Sequence, residues 1–578
     1  MDNDQTFIAP EGVYSTLEEH KPTAPTHLAP PALYPTKLAT VHVRFPHSKQ
    51  PAQGLGQLLT TWQPKEKDKD KGPPAPDGAS LSSSDTPDAE QLTGANNYSD
   101  DPLIEPPATP HLFGSAPLSA QHASGRRAAR PKQHNLRTTS STFVTRLHGA
   151  EGLSKTLGAK AGEVTYLFYN AAKNFYWCEL GVKAKEPLAR ISFSAYPTCH
   201  DVNQHTAAHD RLDVVVGFAS GDLIWFADPV SLRYARLNKQ GRITASPCTA
   251  VHWVPSSPNL FLASHSDGTI IVYDKDRDDG AFTPGVPRAD EGESAGEWNP
   301  LDSMFVTMPP WHPVGAAASG GEGKKEKEKT ARNPVSHWKV SKRAIVDFVF
   351  SPDVKYVAAI SEDGCLRVID ALAEQLMDCY AAYFGALTSV AWSPDGRFII
   401  TGGQDDLVHI FSPWEGRVIA RCQGHSSFVS ALAFDDARCD GRTYRFGSVG
   451  EDNKLILWDF SSGILHRPKH APHTMSARTG STASLRASRR REGSTLHLPP
   501  GDGPLPRYHP APSRNEVAVV QPVLVKQLEG GELLAGVEFL PRHVLTATKM
   551  GNIRLWVRPL SVGIARTPRS AVEPEDVG

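Results

Sequence analysis

The sequence predicts an all-β fold, a closed β-propeller of seven blades interrupted by long disordered insertions. Three observations predict it: one short pattern recurs six times, its spacing approaches the length of a blade, and each copy alternates apolar and polar residues. The copies read ASGDLIWF (219–226), SHSDGTIIVYD (264–274), AISEDGCLRVID (359–370), GGQDDLVHIFS (402–412), SVGEDNKLILWD (448–459) and ATKMGNIRLWV (547–557). Each sets small or polar residues and an Asp/Gly tight turn before a short apolar strand. Four have an earlier strand ending in an aromatic residue and a turn: AVHWVPSSPN (250–259), IVDFVFSPDV (345–354), SVAWSPDG (389–396) and SALAFDDA (430–437). One unit is therefore strand, turn, strand, hairpin, strand.

Asp363 and Asp405 stand 42 residues apart, and Asp405 and Asp452 stand 47 apart. A period of about 40–45 with four strands per unit is the signature of WD40 blades. Gly424-His425 and Trp458-Asp459 bracket one unit at the spacing that resembles the WD-repeat family. The longer gaps around this stretch each require an insertion. Residues 1–63 are expected to form an N-terminal segment with one candidate propeller strand, ATVHVRF (39–45). Residues 64–135, 279–335 and 464–513 are expected to be disordered insertions, and 561–578 a disordered tail. Blades are then expected over 136–278 and 336–463, with a closing blade over 514–560. Without the insertions, the tail and the N-terminal segment, roughly 320 residues remain, against about 315 for seven blades of about 45. The insertions hold runs such as KEKDKDKG and GAAASGGEGKKEKEKTAR, with too little apolar surface to offset chain entropy.

Composition narrows the function. The 578 residues carry 61 Lys+Arg against 63 Asp+Glu, a net charge of −2 that argues against electrostatic coating of nucleic acid. No basic start with an apolar core opens the chain, and no run of about eighteen apolar residues occurs, so neither a secretory signal nor a membrane span is expected. Seven cysteines without a Cys-x-x-Cys pair fit reduced thiols and an intracellular protein, in cytoplasm or nucleus. No phosphate loop, Gly-x-Ser-x-Gly or His-Glu-x-x-His is present, and neither a cofactor nor a metal is expected. In Thr198-Cys199-His200-Asp201, neighbours on a strand point to opposite faces, so Cys199 and His200 cannot converge on one atom.

His425, Ser448, Asp452 and Trp458 are reactive residue types. Their order instead resembles the structural tetrad of WD blades, in which such groups satisfy one another across strands. Asp405 has Thr401 before it, but Phe411 stands where the tryptophan would be. Large aromatics in the loops entering the blades are the candidates for protein binding: Phe428 in GHSSFVSALAF, and Tyr383 and Phe384 in CYAAYFGALTSVAW. By sequence alone, wedging between blades and anchoring a partner are equally open to them. Glu362, Gln404 and Glu451, each one residue before a turn Asp, are expected to give the same rim a polar, acidic character.

Longer stretches resemble one family in particular. They are EGVYSTLEEHKPT (11–23), YPTCHD (196–201), YARLNKQGR (234–242), TARNPVSHWKV (330–340), YFGALTSVAWSPDGRFIITGGQDDLVHIFS (383–412), RVIARCQGHSSFVSALAFD (417–435) and TYRFGSVGEDNKLILWD (443–459). Together they are similar to the CreC type of fungal catabolite-repression proteins and its animal WD-repeat counterparts, which are deubiquitinase cofactors. The resemblance implies a non-catalytic subunit that binds a ubiquitin-specific protease of the CreB type, protects it from degradation and raises its activity in carbon-source regulation. It also implies that Phe384 and Phe428 are contact anchors, with Phe428 smaller than the Trp of an animal relative. A second WD-repeat subunit could join such a complex. The alternatives are a substrate receptor of a cullin-type ubiquitin ligase and a general nuclear scaffold. The first expects an Arg two positions after the Trp-Asp pair, where this chain has Ser461.

Overall fold

In the computed structural model, the described residues are 5–22, 34–46, 130–135, 141–150, 152–182, 186–228, 233–285, 304–311, 331–461, 463, 506–513, 515–528 and 532–559. All belong to one compact unit; a second unit, His47–Pro110, lies outside them. Seven antiparallel-based sheets follow one another along the chain, six five-stranded and one four-stranded. Their first strands are Leu38–Phe45, Pro197–Val202, Cys248–Trp253, Ile345–Phe350, Leu387–Trp392, Val429–Phe434 and Leu534–Phe539, which open blades 1 to 7. These strands neighbour one another around the axis, and the circle closes where Thr40 of blade 1 donates to Glu538 of blade 7.

Period-2 alternation explains the packing. Each strand sends alternate residues to its two faces, and each face meets the next blade. Seven apolar clusters result, one per blade-to-blade seam. Val449, Leu455 and Leu457 of blade 6 meet Phe7, Tyr14 and Trp556 of blade 7, and Leu545 and Leu555 of blade 7 meet Leu167 and Tyr169 of blade 1. The seven-bladed ring expected from the repeat is the fold.

Its construction differs from the expected boundaries at several points. Three strands, not one, come from the N-terminal segment. Thr6–Ala9 and Gly12–His20 are the outer strands of blade 7, where Gly12–His20 pairs with Ile553–Val557. Leu38–Phe45 pairs with Gly162–Ala171, so blade 1 straddles the first insertion. Pro522–Gln527 is the outer strand of blade 6, paired with Lys454–Ser461, and not part of the closing blade. Short strands also occur inside stretches read as insertions. His134–Asn135 extends blade 2, Phe305–Thr307 extends blade 3, and Arg507–His509 lies parallel to Gln375–Ala381 at the edge of blade 4. Most of the rest of those stretches lies outside the described residues. The outermost of these strands share one physical reason. An edge strand is held by backbone hydrogen bonds, which leave little trace in apolar periodicity.

A candidate docking rim

One hydrogen bond recurs in six blades and fixes which residues share a rim. The residue opening the turn between the second and third strands donates its backbone N–H to a carbonyl of the loop entering the same blade. The pairs are Ala219 to Tyr196, Ser266 to Pro247, Glu362 to Ala344, Gln404 to Ala386, Glu451 to Phe428 and Lys549 to Leu533. Glu362, Gln404 and Glu451 therefore do occupy equivalent places.

In blade 6 the four tetrad residues are bonded to one another. His425 Nδ1 lies 3.0 Å from Asp452 Oδ1, and its Nε2 lies 2.8 Å from Ser448 Oγ. Trp458 donates its indole N–H to the same hydroxyl at 2.8 Å. Burial pushes the Asp452 carboxyl up, but bonds from His425 and the Ser426 N–H outweigh it and hold the group well below the usual carboxylate range. With Trp458 fully buried, these four residues tie the entry loop to the sheet. Phe428 stands on that loop, 40% exposed.

Blade 5 is built differently. Phe411 offers no N–H, and Thr401 Oγ1 is buried with no partner among the described residues. No imidazole on its entry loop engages Asp405 as His425 engages Asp452; His409 Nε2 lies 3.3 Å from its Oδ2 without a hydrogen bond, and burial pushes its carboxyl up to about 6. Tyr383 is half-buried, its ring 5.4 Å from that of His409, so it supports the loop from beneath. Phe384 stands outward at 59% exposure. Gly385 follows with φ 70°, where a Cβ would come within 2.9 Å of Gln404 Cβ. Gln404 Oε1 accepts the Ala386 N–H at 3.1 Å, so Gln404 braces the Phe384 loop from the side.

The rim is less acidic than its sequence suggests. Glu451 pairs with Lys549 at 2.5 Å, and Lys454 lies 3.4 Å from Asp452. Glu362 is exposed, with Lys342 and Arg343 exposed on the loop entering its own blade. Sequence reading missed Leu533, 37% exposed in the place on blade 7 that Phe428 holds on blade 6. The motif ATKMGNIRLWV announced that blade, but the entry loop carries no aromatic residue to draw attention.

Two of the long gaps between described residues begin beyond strand ends on the opposite rim, whereas the chain returns beside His134 and Phe305 on the docking side. Phe45 and Ser461 each end a strand at the end of its blade far from these loops.

Other predicted features resolve as packing. Along Pro197–Val202, Cys199 turns to Cys248 with 3.5 Å between sulfurs, while His200 turns the other way to the Phe168 carbonyl. All seven cysteines are free thiols. Among the described residues no group of three His, Cys, Asp or Glu is placed to hold a metal ion, and no helix is long and apolar enough to cross a membrane.

Comparison with known proteins agrees with this architecture. The family "WD domain, G-beta repeat" matches residues 376–412, which run from the last strand of blade 4 through the third strand of blade 5. The UBP9-binding protein bun62 of Schizosaccharomyces pombe is 33% identical over 461 residues, covering 78% of this chain and 80% of its own. A chain from the crystal structure of the mitotic checkpoint complex aligns with a TM-score of 0.41 at 12% identity, over 75% of this chain and 95% of its own, a likeness too slight to argue from.

Proposed function

The chain belongs to the WD-repeat family of the UBP9-binding protein bun62, and from that premise we propose that it is a non-catalytic regulatory subunit of a ubiquitin-specific protease. The protease is of the CreB type. The propeller docks on it through Phe384 and Phe428, protects it from degradation and raises its activity, acting inside the cell in carbon catabolite repression. The observation that carries this reading is the pair of exposed aromatic rings on braced loops of one rim. A rigid ring loses little internal freedom on association, and large aromatics at the centre of a contact commonly carry about 2 kcal/mol or more each. Activation follows if the propeller binds the productive conformer of the protease better than an idle one. The propeller need not touch ubiquitin or the scissile bond.

Binding of the purified protease to Phe384→Ala/Phe428→Ala tests the reading. The variant is expected to lose binding by more than about a hundredfold while its circular dichroism is unchanged. Wild-type affinity in a folded variant would refute the rim as the docking site.

A further inference from the structure

The equivalence of entry loops carries the reading one step further. Blades 2, 3 and 4 place Tyr196, Pro247 and Ala344 where blades 6 and 7 place Phe428 and Leu533. None of those three is an exposed large apolar residue: Tyr196 is half-buried, with the Lys173 ammonium 4.9 Å from its ring. Blade 5 has Ala386 there, with Phe384 two residues earlier. Among the described residues, exposed large apolar side chains on this rim thus gather on three consecutive blades, 5 to 7, at Phe384, Phe428 and Leu533. The charges between Phe428 and Leu533 are compensated within the protein, while Asp405 Oδ2 and Asp406 Oδ1 of blade 5 are buried with no hydrogen-bond partner among the described residues. Glu451 and Lys549 form an ion pair that spans blades 6 and 7, and each donates its backbone N–H to the carbonyl of an arc residue, Phe428 or Leu533. Asp452 is engaged by His425, the Ser426 N–H and Lys454.

We propose that Leu533 is a third anchor, and that Phe384, Phe428 and Leu533 form one apolar arc that receives an uncharged, apolar ridge of the protease. This rests on the function proposed above and adds the chemistry of the partner. From Phe428 to Leu533, where the acids are already paired, the arc offers a partner cation little to gain, and a partner charge placed there would be desolvated without compensation. Apolar contacts of this kind act mainly on dissociation, whereas rim charges act on association and its salt dependence.

Surface-immobilised protease and full-length propeller variants separate the outcomes. Leu533→Ala is expected to speed dissociation about tenfold, and Leu533→Asp to abolish measurable binding. Lys342→Ala/Arg343→Ala, on blade 4 beyond the arc, is expected to leave the affinity within about twofold. Raising NaCl from about 0.05 to 0.5 M is expected to change it by less than about threefold. Leu533→Ser repeats the measurement should the aspartate disturb folding, as judged by melting temperature. If folded Leu533 variants bind like wild type while the two-phenylalanine variant does not, the third anchor is wrong and the function stands. If the phenylalanine variant also binds like wild type, the proposed function itself falls. Strong salt dependence with loss of binding in the Lys342/Arg343 variant would overturn the uncharged ridge.

Discussion

Ser448 and Thr401 occupy matching places in adjacent blades yet do opposite work. Ser448 Oγ accepts the Trp458 indole N–H and bonds His425 Nε2. Ser448→Ala therefore strands two buried polar groups and is expected to cost about 2–4 kcal/mol in chemical denaturation. Thr401 has no such partners, because Phe411 replaces the indole. Thr401→Val removes a buried hydroxyl that bonds nothing among the described residues, and is expected to leave stability unchanged or raise it by about 1 kcal/mol. Equal losses in the two variants would show that the tetrad is not what distinguishes the blades. The sequence exposed this contrast fully, since residue types at fixed spacing are what hydrogen bonds read. It did not expose the roles of Tyr383 and Gln404, which depend on where a loop folds back.

At the scale of elements, blades 2 to 6 were legible because their second and third strands are local in sequence and alternate cleanly. Blade 7 was legible only in part. Its outer strands come from the N-terminus, and the stretch EGVYSTLEEH shows resemblance but little propeller grammar. The structure explains those residues. Tyr14 is buried, stacked on Phe7 with centroids 4.5 Å apart, while Phe7 meets Trp556 edge-on at 5.2 Å. Tyr14 donates to Glu11 at 2.6 Å, and Glu11 pairs with Arg445 of blade 6 at 2.8 Å. The N-terminal strands thus close the ring and bolt it to the preceding blade. Deleting residues 1–22 is expected to leave Ile553–Val557 as a bare edge and to abolish cooperative unfolding in calorimetry. A single sharp transition near the wild-type temperature would contradict closure by these strands. The edge strands in the insertions escaped the sequence for a related reason, since three residues bonded through their backbone need no pattern.

Over the whole molecule, stability and function are assigned to different places. One ionic clamp at the axis binds three blades: His252 lies 3.7 Å from Asp201 and 3.4 Å from Asp347, on the first strands of blades 3, 2 and 4. Burial alone would push the His252 pKa down, but the two carboxylates outweigh it and raise it to about 10. Its ordinary value is about 6.5, so the clamp contributes fully below that pH and fades as pH rises through about 10. A third of the side chain opens to water, which limits the contribution to about 1 kcal/mol. His252→Asn should therefore lower stability at pH 6 and make little difference at pH 10.5, and a loss independent of pH would refute the clamp. The proposed docking arc lies apart from this clamp, so changing its side chains is expected to leave the ring closed. The most direct test of the central claim is hydrolysis of a fluorogenic ubiquitin substrate by the purified CreB-type protease, with and without this protein. The account predicts a saturable, several-fold rise in rate that disappears with Phe384→Ala/Phe428→Ala; no rise and no co-elution with the wild-type propeller would contradict it.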